Sequence, residues 1–151
     1  MVKRNKKIII IDDNLLSVEG ICHGIDWESI PAIVCATFYD AKSAMEYIDQ
    51  NSVDIVITDV RMPGMTGLEM AHYILQKKTF LKIIFISAYD DFHYVQEALR
   101  VGAFDYIEKP ISYNLLLKIL KKASDVIEQE QMIIEELTRN RPALIQNFFQ
   151  I

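Results

Sequence analysis

Three aspartates stand directly after short runs of apolar and β-branched residues, Asp12 and Asp13 after Ile8 to Ile11 and Asp59 after Ile55 to Thr58. If those runs are strands of a parallel sheet, all three carboxylates emerge at the carboxyl ends of their strands, the edge where open α/β sheets bind ligands. Carboxylates gathered in one crevice repel each other and cannot all stay ionised without a cation, and an all-oxygen donor set selects a hard ion such as Mg2+. A fourth apolar run ends in Ser87 and Ala88, and a fifth leads into Lys109 and Pro110, which brings a hydroxyl and an ammonium to the same edge. A carboxylate nucleophile, a divalent ion, a hydrogen-bond donor and a fixed positive charge are the parts that phosphoryl transfer uses. Each residue alone has a plainer reading: an Asp after a strand can cap the next helix, and a lone Lys can be a solvated surface charge.

The elements that must position these groups are legible as alternating periodicities. Short apolar runs at Lys7 to Ile11, Ala32 to Ala36, Ile55 to Thr58, Lys82 to Ser87 and Asp105 to Ile107 predict strands. Amphipathic stretches at Leu15 to Ile25, Ala41 to Gln50, Gly67 to Lys77 and Phe92 to Val101, and a long one from near Ser112, predict helices. Five βα units of this kind make an α/β doubly wound parallel sheet, with the continuous β-branched runs central and Ala32 to Ala36 nearer an edge. In a flavodoxin-like (βα)5 fold of strand order 2-1-3-4-5, the order reverses between the first and third strands, which are the ones carrying the aspartates.

After Ser112 no Gly or Pro interrupts the chain until Pro142. Ile119, Ala123, Val126, Ile133 and Leu137 step in a heptad-like seam with Glu130 as a polar intruder. At ~1.5 Å per residue such a helix extends on the order of 40 Å, longer than a small domain is wide. It reads either as one packed helix with a frayed tail or as a helix continuing into a linker or dimer seam. The division expected is a globular unit over 1–122 and a helical linker or dimerisation segment over 123–151, whose apolar end from Ala143 to Ile151 reads as the start of a connection to something further.

Composition narrows the function classes. With 151 residues there is room for one ordinary domain, and a net charge of −5 argues against a nucleic-acid surface on this segment. The apolar run after the basic start is too short for a signal peptide or a membrane span, so a cytoplasmic protein is expected. Cys22 and Cys35 lie in apolar surroundings without CxxC spacing and read as buried free thiols; His23, His72 and His93 are scattered without ligand spacing.

Taken together, Asp12-Asp13, Asp59-Val60-Arg61-Met62-Pro63 with Gly67, Ser87-Ala88, Tyr106 and Lys109-Pro110 resemble the receiver domain of bacterial two-component response regulators over about Lys7 to Lys122. The resemblance implies that Asp59 accepts a phosphoryl group from a sensor histidine kinase. Mg2+ would be held by Asp13, Asp59 and the Arg61 backbone carbonyl, with Asp12 acting through a metal-bound water. Lys109, following whose side chain the Lys109-Pro110 peptide is expected to be cis, would bind phosphoryl oxygens together with Ser87 and Ala88. Ser87 and Tyr106 would be the switch pair, changing the surface of the fourth helix, fifth strand and fifth helix. Tyr106 also has the ordinary reading of a half-buried aromatic. Arg61 and Tyr89, each two residues beyond a site residue, are expected to tune dephosphorylation by shielding the acyl phosphate from water.

Ile25-Asp26-Trp27 and Ala88-Tyr89-Asp90-Asp91-Phe92 with Tyr94 resemble the receivers that carry AraC-type helix-turn-helix output domains. The expected role is therefore a phosphoacceptor switch in transcription regulation, reaching DNA only through an output domain outside this chain and forming a homodimer through the last helix or the neighbouring face. It would be no enzyme beyond self-phosphorylation and weak autodephosphorylation. A stand-alone phosphorelay or partner-binding receiver is the alternative. A Mg2+-dependent phosphohydrolase is disfavoured because the nucleophile candidate follows the third strand and no cap-sized insertion exists.

Overall fold

The computed structural model describes residues 5–88 and 92–140. Five parallel strands, β1 (Lys6–Ile11), β2 (Ala32–Phe38), β3 (Ile55–Asp59), β4 (Lys82–Ser87) and β5 (Asp105–Glu108), form one sheet in the order β2-β1-β3-β4-β5. They are linked by α1 (Leu15–Gly24), α2 (Ala41–Gln50), α3 (Gly67–Lys77) and α4 (Phe92–Val101), and α5 (Tyr113–Asn140) follows the last strand. This is the doubly wound flavodoxin-like arrangement. A 3-10 turn at Trp27–Ser29, with the Trp27 indole donating to the Cys22 carbonyl at 3.0 Å, is an addition that the periodicity did not signal.

Strand alternation divides the core into two layers. Ile8, Ile10, Ile55, Ile57, Ile84 and Ile86 pack on one face with Val18 and Ile21 of α1 and Leu116 and Leu120 of α5. Ile9, Ile11, Val56, Ile83 and Phe85 point the other way, onto Ala44 and Ile48 of α2, Met70 and Ile74 of α3, and Val95 and Ala98 of α4. A strand buried on both faces cannot alternate apolar with polar, hence the unbroken isoleucines of β1.

The helix starts are fixed by groups other than the site aspartates. Asn14 caps α1, accepting from the Leu16 and Ser17 amides. Thr66 caps α3, its hydroxyl accepting from the Glu69 amide at 3.1 Å and donating to the Glu69 carboxylate at 3.2 Å. With Asn14 and Thr66 in these places, Asp12, Asp13 and Asp59 are not needed as caps.

Two expectations need correction. Cys22 is half-buried but Cys35 is exposed, because β2 is an edge strand whose residues are alternately covered and open. Both thiols are free. The seam on α5 also divides: Ile119 and Ala123 are buried in the chain's own core, whereas Ile133 is 58% exposed. Glu130 is no intruder in a seam, since its carboxylate turns back to the Lys82 ammonium at 2.6 Å. The predicted length of the helix agrees with the structure, α5 running for 28 residues. Pro142 and the segment 143–151 lie outside the described residues. Among the described residues no helix is long and apolar enough to cross a membrane.

Candidate functional site

The carboxyl ends of β1 and β3 are adjacent because these strands pair directly, Ile11 beside Thr58. That register places Asp12 and Asp13 one and two residues beyond the last paired residue of β1, and Asp59 at the last paired residue of β3. One carboxylate oxygen from each of the three lies within 4.8 Å of the other two. Asp12 is 2% and Asp59 7% exposed, whereas Asp13 is open to solvent. Two carboxylates are thus sunk into the sheet edge and the third stands at its mouth.

Lys109 enters from the end of β5. Its ammonium donates to Asp59 Oδ2 at 2.9 Å and sits 3.4 Å from Asp12 Oδ2. Its backbone amide is fixed by the Ser87 carbonyl at 2.8 Å, and the Lys109-Pro110 peptide is cis, as the resemblance implied. On the other side the Arg61 amide donates to Asp59 Oδ1 at 3.1 Å. Both oxygens of Asp59 are therefore engaged and the carboxylate is held in one orientation.

Burial pushes the Asp12 carboxyl above the ordinary range, and the charge of Asp59 adds to this; the Asn14 amide, donating at 2.9 Å, and Lys109 oppose it. For Lys109 burial pulls the ammonium down, but the hydrogen bond to Asp59 and the charges of Asp12 and Asp59 outweigh it, so its pKa is raised. Three carboxylates against one ammonium leave two formal negative charges when all are ionised. Among the described residues Asp12 Oδ2 is buried with no hydrogen-bond partner. A buried oxygen that has an ammonium at 3.4 Å but no hydrogen bond, beside two uncompensated negative charges, suits a divalent, oxygen-seeking ion, so these residues could hold a metal.

The Gly67 amide donates to the Val60 carbonyl at 2.9 Å, and a Cβ at Gly67 would overlap the Asp59 carbonyl oxygen. The first turn of α3 is packed onto the site backbone so closely that only glycine fits. Ser87 ends β4, 1% exposed, and its neighbour Ala88 is exposed. Tyr106 is half-buried on β5, opposite Phe85 of β4, and borders a groove with Glu108, Leu115 and Ile119. Tyr89 lies outside the described residues, as do Asp90 and Asp91. A residue the sequence reading left without a role is Tyr94 of α4, over whose ring the Arg61 guanidinium carbon lies at 5.3 Å from the centroid. The only sequence signal for it was its place in the aromatic and acidic string after β4.

Residues 8–121 match the response regulator receiver domain. The chain belongs to that family. This receiver domain is 32% identical over 116 residues to the uncharacterised transcriptional regulatory protein YesN of Bacillus subtilis, covering 77% of this chain and 32% of that protein. It is 30% identical over 125 residues to the transcriptional regulatory protein HptR of Staphylococcus aureus, covering 83% of this chain and 49% of that one. The receiver thus spans between a third and a half of these curated relatives. Among solved structures it is similar to the REC domain of AraT, a response regulator from Geobacillus stearothermophilus, with TM-score 0.78, 36% identity, and 83% and 98% of the two chains covered. A two-component transcriptional regulator AraC from Clostridium phytofermentans has TM-score 0.79 and 30% identity, with 84% of this chain and 98% of that chain covered. A receiver is a regulatory domain rather than an enzyme in the ordinary sense, which leaves the phosphohydrolase reading without support.

Proposed function

We propose that this receiver is a phosphorylation switch in which Asp59 accepts the phosphoryl group of a sensor histidine kinase and passes the signal to transcription. The observation that carries the reading is the cluster of Asp12, Asp13 and Asp59, two of which, Asp12 and Asp59, pair with one ammonium, Lys109, at the point of the sheet where strand order reverses. Asp59 Oδ attacks phosphorus as the phosphorus–nitrogen bond of the donor phosphohistidine breaks, leaving an acyl phosphate on the carboxylate. The Arg61 amide on Oδ1 and Lys109 on Oδ2 hold the nucleophile in place beforehand, so little reorganisation remains.

Asp13, Asp59 and the Arg61 carbonyl would hold Mg2+, with Asp12 through a water. The ion supplies charge neutralisation for the phosphoryl oxygens. After transfer Lys109 pairs with a phosphoryl oxygen, and the Ser87 hydroxyl and Ala88 amide complete the hydrogen bonds. Movement of Ser87 toward phosphate opens space for the Tyr106 ring, which changes the α4-β5-α5 surface. The bias on that equilibrium is set by the contacts the phosphoryl group makes in one state and not the other.

Residues 1–122 serve as the switch and 123–151 as a helical linker, working in the cytoplasm as a homodimer through α5 or the α4-β5-α5 face. The relatives named as transcriptional regulators, two to three times longer than this receiver, support an output through a DNA-binding domain. The test is incubation with Mg2+ and a small acyl phosphate, followed by intact mass. The parent should gain one phosphoryl group and Asp59→Ala none; equal labelling of both would remove Asp59 from its role.

A further inference from the structure

We infer that Tyr94 is a positioning residue that holds the Arg61 side chain as a cover over the α4 side of the phosphoacceptor site and so lengthens the life of the acyl phosphate. The inference rests on the reading of Asp59 as phosphoacceptor. Arg61 lies two residues beyond Asp59, and its amide is tied to Asp59 Oδ1 at 3.1 Å, so the root of its side chain cannot leave the carboxylate. The far end of the same side chain lies over the ring of Tyr94, the guanidinium carbon 5.3 Å from the centroid. Tyr94 stands in the first turn of α4, shortly after β4 has delivered Ser87 to the site. Its neighbour Val95 is buried in the core, which fixes the helix phase and presents the tyrosine at the surface, 40% exposed. The arginine therefore spans the gap between the β3–α3 loop and α4.

A long arginine side chain has many rotamers open to it in water, and each contact at its far end selects among them. A π-face under the guanidinium lowers that freedom and favours one position, an interaction suited to the planar, weakly hydrated guanidinium. Hydrolysis of the acyl phosphate requires water oxygen to attack phosphorus while the bond from phosphorus to the Asp59 carboxylate oxygen breaks, releasing inorganic phosphate and restoring the carboxylate, with the water proton passing to phosphate or solvent. A guanidinium parked across the opening obstructs that approach. Tyr94 touches neither phosphate nor metal in this scheme and acts through Arg61.

The experiment loads the whole chain with a small acyl phosphate in Mg2+ buffer, removes the donor, and follows the loss of phosphate by intact mass. Tyr94→Leu should lose phosphate about two- to fivefold faster than the parent, the range a surface cation–π contact supports. Tyr94→Phe, which keeps the π-face, should behave as the parent. In the Arg61→Ala background, adding Tyr94→Leu should change nothing further. Equal rates for the parent and Tyr94→Leu would overturn the inference. So would an acceleration by Tyr94→Leu that persists undiminished in Arg61→Ala, because the tyrosine would then act by another route. A parent that takes up no phosphate on Asp59 would overturn the phosphoacceptor reading itself, and this inference with it; that failure is visible before any rate is compared.

Discussion

The two edges of the sheet handle charge in opposite ways. At the carboxyl edge Asp12, Asp13 and Asp59 cluster around a single ammonium, Lys109, that pairs with only two of them, Asp12 and Asp59. At the amino edge, α5 has descended past the sheet and returns one carboxylate to each basic strand start: Glu128 pairs with Lys6 of β1, and Glu130 with Lys82 of β4 at 2.6 Å. The Lys6 side chain is fully buried, and those of Lys82, Glu128 and Glu130 are between 15% and 24% exposed. A charge matched to its counter-charge at folding leaves nothing to attract a ligand; its yield is geometry, here the direction in which α5 leaves the domain. A carboxylate cluster left in deficit has a folding cost and a binding capacity. The same chemical groups are therefore structural at one edge and responsive at the other, and the difference is the local charge sum.

The largest effect expected at either edge comes from Gly67→Ala. Its Cβ would overlap the Asp59 carbonyl oxygen, and backbone atoms cannot yield as a side-chain tip can. A loss of about 3 kcal/mol in chemical denaturation is expected; a loss under 1 would mean that α3 can slide away from the site. At the amino edge Lys6→Met keeps the buried stem and removes the ammonium facing Glu128. Breaking a buried pair typically costs about 3–5 kcal/mol, and the partial exposure of Glu128 reduces this to about 2. The double variant Lys6→Met, Glu128→Leu should recover most of the loss. If it does not, the pair contributes more than balanced charge.

Mg2+ separates the edges directly. At ten times its dissociation constant the ion should stabilise the parent by about 1.4 kcal/mol, seen as a raised melting temperature. The same increment should persist in Lys6→Met and vanish in Asp13→Asn. An increment lost in Lys6→Met would place the ion, or its coupling, at the wrong edge. The smallest effect belongs to Lys82→Gln, where both partners keep some contact with water. About 0.5–1 kcal/mol is expected, screened further by added salt.

The contrast between these edges also explains how much could be read beforehand. The aspartate positions were legible because the strands are buried on both faces, so their ends are marked by an abrupt change from β-branched residues to charge, as at Ile11 to Asp12. The match of the Lys109-Pro110 peptide and of the five-strand order followed from residues carrying a family pattern. Glu130 was misread because a heptad pattern contains no information about a lysine 48 residues earlier. Cys35 was misread because apolar neighbours in sequence do not reveal that a strand lies at an edge. Tyr94 went without a role because its partner Arg61 lies across two elements, α3 and β4.

What the sequence by itself determined was local and periodic: which segments alternate, where strands end in carboxylates, and that a helix of about eight turns follows the last strand. What only the tertiary structure decided was which charges meet. The same Asp or Glu becomes a ligand, a cap or half of an ion pair according to the strand register and helix phase that bring a partner within reach, and the strength of that meeting depends on distance and burial, neither of which sequence separation encodes.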